Sequence, residues 1–196
     1  MARDQHTYLP AMSTDRLLRL YDPLTRLLGV PRLHSDLVED AEIAAGHQVL
    51  EIGCGTGNLA LMIARRHPDA HVTGLDPDPH ALDIARAKAG RAGVSVQWDQ
   101  GSAAVLPYPD ASIDRVVSAL MFHHLRPADR ARTLEEVRRV LRPGAQVHLV
   151  DIVAHGPFAG RFSAGGTIPE LMRRAGLRDV RQASRRLRTT AYRAVH

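Results

Sequence analysis

"VLEIGCGTGNLAL", residues 49–61, sets three glycines directly after an apolar run and can be read in two frames. From Gly55 it spells GxGxxA, the turn that holds a dinucleotide pyrophosphate in doubly wound sheets. From Glu51 it spells ExGxGxG, with a carboxylate in front of the glycines. In either frame the glycines let the chain turn sharply and approach a ligand closely, with the N–H groups of the next helix aimed at it.

The surrounding pattern supplies the sheet that such a turn needs. Segments 47–53, 71–76, 94–98, 113–120 and 146–153 are rich in Val, Ile and Leu and read as buried strands. Helical stretches at 58–67, 79–92 and 128–141 lie between them. That alternation predicts an α/β, Rossmann-like three-layer sandwich with right-handed crossovers. In front, apolar positions at helical spacing over 13–29 and 32–45 form a helical preface, broken at Pro31. Behind, 168–175 reads as a helix ended by Gly176, and 177–188 with 189–196 as an antiparallel hairpin at the sheet edge. This makes a mostly parallel seven-stranded sheet and one domain over 1–196: a helical cap to 45, a cofactor-binding core over 46–154, then lid loop, closing helix and hairpin.

A chain of 196 residues with 44% hydrophobic and 24% charged residues suits one core. No apolar run is long enough for a bilayer and the first residues carry no signal pattern, so a cytoplasmic protein is expected. A single cysteine, Cys54, excludes an internal disulfide. The net charge of +5 comes almost wholly from arginine, because Lys88 is the only lysine. Spread along helices and both ends, with 4% aromatic residues, these arginines read as solvated faces, and a nucleic-acid partner is not favoured. The oligomeric state, monomer or homodimer, stays open.

The ligand turns on Glu51. Beside a pyrophosphate it adds repulsion, whereas beside an ammonium and a sulfonium it attracts. S-adenosylmethionine carries both cations and no phosphate. Asp76, about 20 residues beyond the glycines at the end of the next strand, is placed to accept from both ribose hydroxyls of either ligand.

At this point the chain resembles the class I S-adenosylmethionine-dependent methyltransferases, in the small-molecule branch similar to ubiquinone and menaquinone biosynthesis methyltransferases. The resemblance rests on "VLEIGCGTGN", "GLDPDPHALDIAR", "LPYPDASIDRVVS", "MFHHL" and "EEVRRVLRPGAQVHLVD" in this order, with "IPELMRRAGLRDV" as the helix before the sixth strand. It implies that Gly53, Gly55 and Gly57 line the methionine end, that Cys54 is a small filler between them, that Glu51 supports this end and that Asp76 holds the ribose. Pro77 and Asp78 border the adenine. Family members often have Gly-Asp-Ala where this chain has Gly101, Ser102 and Ala103, so Ser102 replaces the usual acceptor for the adenine amino group, or Asp99 compensates. Ser118 to Leu120 pass near the methionine carboxylate and amine.

The resemblance also places "MFHHL" at the transferring methyl group, where His123 or His124 orients or deprotonates an acceptor, with Tyr21 as a partner. Asp151 and His155 are further candidates at the end of the fifth strand. The two histidines have no third ligand at a metal spacing, so no metal is expected. The acceptor, a compact small molecule, enters between Tyr21, Leu24 and Leu28 and a loop carrying Phe158 and Phe162. Three rivals follow from the same residues: a nicotinamide dehydrogenase, a nucleic-acid methyltransferase, although its Asn-Pro-Pro-Tyr type of loop is absent, and a non-catalytic cofactor-binding protein.

Overall fold

The computed structural model describes residues 29–152, 166–186 and 189–196. Residues 13–28 of the helix expected over 13–29, with Tyr21, and the loop with His155, Phe158 and Phe162 lie outside the described residues. The first described helix, α1 (Val30–Asp40), carries Pro31 in its opening turn, where a missing N–H breaks no helical bond, and buries His34, Leu37 and Val38 on one face. Pro31 therefore starts this helix and does not merely precede it. The helix ends before Ala45 because Glu42 turns left-handed at φ 47°, and Arg115 donates to the carbonyls of Ala41 and Glu42 at 2.7 and 3.3 Å.

Strand and helix then alternate: β1 (Gln48–Ile52), α2 (Asn58–Arg66), β2 (His71–Asp76), α3 (Pro79–Ala92), β3 (Gln97–Gln100), β4 (Ile113–Ala119), a 3-10 turn over Phe122–His124, α4 (Pro127–Val140) and β5 (Leu141–Ile152). They are followed by α5 (Ile168–Arg174), β6 (Arg178–Arg186) and β7 (Thr189–Val195). The seven strands form one sheet in the order β3-β2-β1-β4-β5-β7-β6. Pairings from β3 to β5 are parallel, while β7 runs antiparallel to both β5 and β6. The expected edge hairpin is present, with β6 outermost.

Both sheet faces are covered. Leu50, Ile52, Leu75 and Val116 point to the side of α4 and α5, where they pack with Leu134, Val137 and Met172. Their neighbours Val49, Val72 and Val117 face the other way, onto Leu37, Leu59 and Ile63 of α1 and α2. Strands buried on both faces have no polar side, which explains their near-continuous apolar sequences.

Two strands begin elsewhere than the sequence pattern indicates. Pairing in β3 starts at Gln97, opposite Thr73. Val94 instead completes the end of α3, its N–H donating to Ala89 beyond left-handed Gly93. In β5, Leu141 already pairs with Ile113, and the ladder resumes only at Gln146. Gly144, left-handed at φ 82°, lies in the interruption. The chain reverses its direction of growth at β1, moving out to β2 and β3 and returning to β4, so the crevice beyond the carboxyl ends of β1 and β4 is the switch point where this class of sheet binds ligands.

Candidate active site

Gly53, Gly55 and Gly57 leave β1 with φ of 69°, 51° and 79°, all in the left-handed region. Each has a different steric surrounding. A Cβ on Gly53 would meet Met121 Cγ at 2.1 Å, and one on Gly57 would meet the Trp98 ring at 2.5 Å and Ala85 at 2.9 Å. A Cβ on Gly55 would meet nothing within 4 Å. The outer two glycines are packing positions, and only the middle one opens onto space. The turn is fixed from β2: Gly53 and Cys54 both donate to the Leu75 carbonyl, at 2.8 and 3.0 Å. Cys54 is buried, and burial pushes its thiol well above the usual range, which fits a filler.

Two carboxylates lie behind this turn. Glu51 is buried and accepts from the Ala60 N–H at 2.7 Å in the first turn of α2. Burial, with Asp76 adding repulsion, pushes its pKa up to about 8. Asp76 is also buried; it accepts from the Gly55 N–H at 2.8 Å with one oxygen and from the Asp78 N–H at 2.9 Å with the other. Burial raises its pKa, and the two N–H donors oppose that shift. Lys88 approaches the turn from α3, donating to the Thr56 carbonyl at 3.1 Å, Thr56 Oγ1 at 2.9 Å and Asn58 Oδ1 at 2.9 Å. Sequence reasoning missed Lys88, although being the chain's one lysine was a signal.

Beyond β2 and β3, the Pro77 carbonyl accepts from the Gln100 amide at 3.2 Å, and Gly101 N–H donates to the Asp76 carbonyl at 3.1 Å. Ser102 closes a local turn in which its Oγ accepts from Ala104 N–H at 3.2 Å, with Ala103 buried beside it. The Asp99 carboxylate, on β3, accepts from Tyr108 OH at 3.0 Å and from the Gln97 amide. The loop after Ser102 is held by α4. Arg139 donates to the carbonyls of Leu106 and Tyr108 and pairs with Glu136, and Glu136 accepts from Leu106 N–H at 2.7 Å. The "LPYPD" and "EEVRR" segments are therefore two halves of one clamp.

On the other side of β1, Ser118 is buried and donates to the Ile52 carbonyl at 2.9 Å, fastening β4 to the start of the glycine turn. Leu120 is left-handed at φ 56°, an uncommon conformation for a γ-branched side chain, and swings Met121 onto Gly53. The 3-10 turn then lays His123 on Asp151: Nδ1 is 2.5 Å from Oδ1, and the His123 N–H donates to Oδ2 at 2.7 Å. Asp151 is 1% exposed and also accepts from Ile152 N–H. An acceptor-only carboxylate requires Nδ1 to carry the proton, which puts the basic lone pair at Nε2. His124 is exposed, with its ring centroid 4.0 Å from that of His123. Desolvation by the surrounding chain, then its histidine neighbour, lower its pKa. The structure thus brings Glu51, the glycines, Asp76, Ser118 and His123 to one rim of the sheet. Among the described residues no group of His, Cys, Asp and Glu is arranged to hold a metal ion, and no helix is long and apolar enough to cross a membrane.

Residues 49–144 match the family described as a methyltransferase domain. A demethylmenaquinone methyltransferase of Deinococcus radiodurans is 37% identical over 147 residues, which are 74% of this chain and 59% of that protein. A 27-O-demethylrifamycin SV methyltransferase of Amycolatopsis mediterranei is 36% identical over 124 residues, covering 62% of this chain and 44% of that protein. The chain thus spans roughly half of the length of these relatives. A solved SAM dependent methyltransferase from Aquifex aeolicus shares the fold, with a TM-score of 0.68 over 83% of this chain and 88% of the other at 22% identity.

Proposed function

We propose that this chain, which belongs to the class I S-adenosylmethionine-dependent methyltransferases, methylates a small-molecule acceptor, with His123 as the base that takes the acceptor's proton. The observation that carries the catalytic part is the His123–Asp151 pair on the rim that also bears the glycine turn. The names of the relatives, a demethylmenaquinone and a demethylrifamycin methyltransferase, support a small-molecule acceptor.

The residues present fit the cofactor. Gly55 leaves open space where a ligand's chain would approach, and the buried side chains nearby include two carboxyl groups, Glu51 and Asp76, and favour a cationic ligand over a pyrophosphate. When bound, S-adenosylmethionine supplies an electrophilic methyl group on a sulfonium. Glu51 supports the methionine end, Asp76 accepts from the ribose, Pro77 and Asp78 border the adenine, and Ser102 with Gly101 and Ala103 forms its far edge. With the cofactor bound, His123 Nε2 would take the proton of the acceptor group that receives the methyl. Asp151 holds the ring in the tautomer this needs and stabilises the imidazolium that results. Orientation and exclusion of water supply the rest of the acceleration. His124 and Tyr21 remain candidates for contacts with the acceptor.

The test is calorimetric titration with S-adenosylmethionine and S-adenosylhomocysteine, followed by a labelled-methyl screen over hydroxylated small molecules. Binding of both, and label transfer that is lost in His123→Ala, are the expected results. Absence of heat with either ligand overturns the reading.

A further inference from the structure

We infer that Lys88 is a positioning residue for the cofactor turn: its ammonium ties together the residues on either side of Gly57, through the Thr56 carbonyl and hydroxyl and the Asn58 side chain, and so sets where Gly55 meets the cofactor. This rests on the cofactor reading given above. The three oxygens around Nζ belong to Thr56 and Asn58, the residues that flank Gly57, and lie 32 and 30 positions away in sequence. The peptide between Thr56 and Gly57 is held at both ends, since its carbonyl accepts from Lys88 and its N–H donates to the Cys54 carbonyl at 2.9 Å. On the opposite side, Asp76 holds the Gly55 N–H. The turn is therefore strung between β2 and α3, with the one open glycine in the middle.

The choice of side chain carries the inference further. The chain contains 26 basic residues, of which Lys88 is the single lysine. It stands where a compact, tetrahedral donor meets three oxygens converging on one point. A planar guanidinium spreads its donors over a wider fork and does not fit three oxygens around a single nitrogen.

The experiment measures S-adenosylmethionine and S-adenosylhomocysteine binding by calorimetry for the wild type, Lys88→Met, Lys88→Arg and Thr56→Val. It is accompanied by amide hydrogen exchange and thermal melting. Lys88→Met is expected to weaken both ligands by about tenfold, the scale on which outer-layer partners act on a bound group. Exchange should quicken at residues 55–58 while the strands keep their protection, and kcat at saturating cofactor should stay within about twofold. Lys88→Arg should not restore affinity. Thr56→Val removes one of the three oxygens without touching Lys88 and should weaken binding in the same direction, which decides the matter even if Lys88→Met does not fold. Wild-type affinity in Lys88→Met or in Thr56→Val, or full rescue by Lys88→Arg, overturns the inference alone. A wild type that binds neither ligand overturns the proposed function and the inference with it.

Discussion

The Nδ1 atom of His123 lies 2.5 Å from Oδ1 of Asp151, a residue 28 positions later on the neighbouring strand. The carboxylate also accepts main-chain N–H groups from His123 and Ile152, so its position does not depend on the imidazole. Asp151→Asn keeps the shape but can present its amide N–H to Nδ1 and favour the wrong tautomer. Its kcat is expected to fall about a hundredfold or more with cofactor affinity unchanged. His123→Ala should fall by a similar factor, and the double variant by no more than either alone, because the two act as a unit. Steady-state rates with a methyl-accepting substrate check this.

Glu51 gives a prediction about protons. Its pKa is raised from 4.5 to about 8, so it is mostly neutral at pH 7 in the free protein. A cation arriving nearby favours the ionised form and lowers that pKa, so binding should release up to about one proton at pH 7. Titrations in buffers of different ionisation enthalpy measure that number, and Glu51→Gln should abolish it. For stability of the free protein the sign is also fixed: a raised acid stabilises the fold fully below its unfolded value, and that contribution declines as pH rises from 4.5 through 8.

The three glycines should respond differently to the same substitution. Gly57→Ala drives a Cβ to 2.5 Å from the Trp98 ring and 2.9 Å from Ala85. It should cost about 2 kcal/mol or more of stability through overpacking and left-handed strain. Gly55→Ala places its Cβ in open space, costing only about 1 kcal/mol of strain, yet it should reduce cofactor affinity most. Melting curves read beside titrations separate the two outcomes.

Acid should unfold the protein through two buried histidines outside the His123–Asp151 pair. His34 and His148 are buried, and burial lowers their pKa values to about 4 and about 3 from 6.5. Each is neutral when folded and takes a proton on unfolding, so its contribution is complete above pH 6.5 and is lost as pH falls toward the folded value. The limiting loss is on the order of 3 to 5 kcal/mol for each. Denaturant midpoints between pH 7 and 4 should drop steeply, and His148→Gln should flatten the fall.

Most of the sheet was legible because strands buried on both faces show apolar runs, and α3 and β2 fell on their expected residues. Boundaries went astray where a residue serves a neighbouring element: Val94 belongs to the end of α3, and Pro31 opens α1. The glycine motif marked the turn after β1 but could not assign separate tasks to its members, because Met121 and Trp98 arrive from distant strands and turns. Likewise, the sequence offered two histidines side by side, and only the register of β4 against β5 brings His123, of the two, onto Asp151. Lys88 and the Arg139–Glu136 clamp stayed invisible because each joins segments roughly 30 residues apart.

The two rims of the sheet share a further property. The strand β3 is four residues long and offers Gln97, Asp99 and Gln100, while β6 carries Arg178 and Arg181 and breaks register with β7 twice. Short length, like charges and bulges are the devices by which open sheet edges refuse another strand. A chain with so apolar an interior is thereby guarded at both edges against edge-to-edge aggregation, and replacing the β6 arginines with threonine or valine would be expected to shorten its life in concentrated solution before it altered the fold.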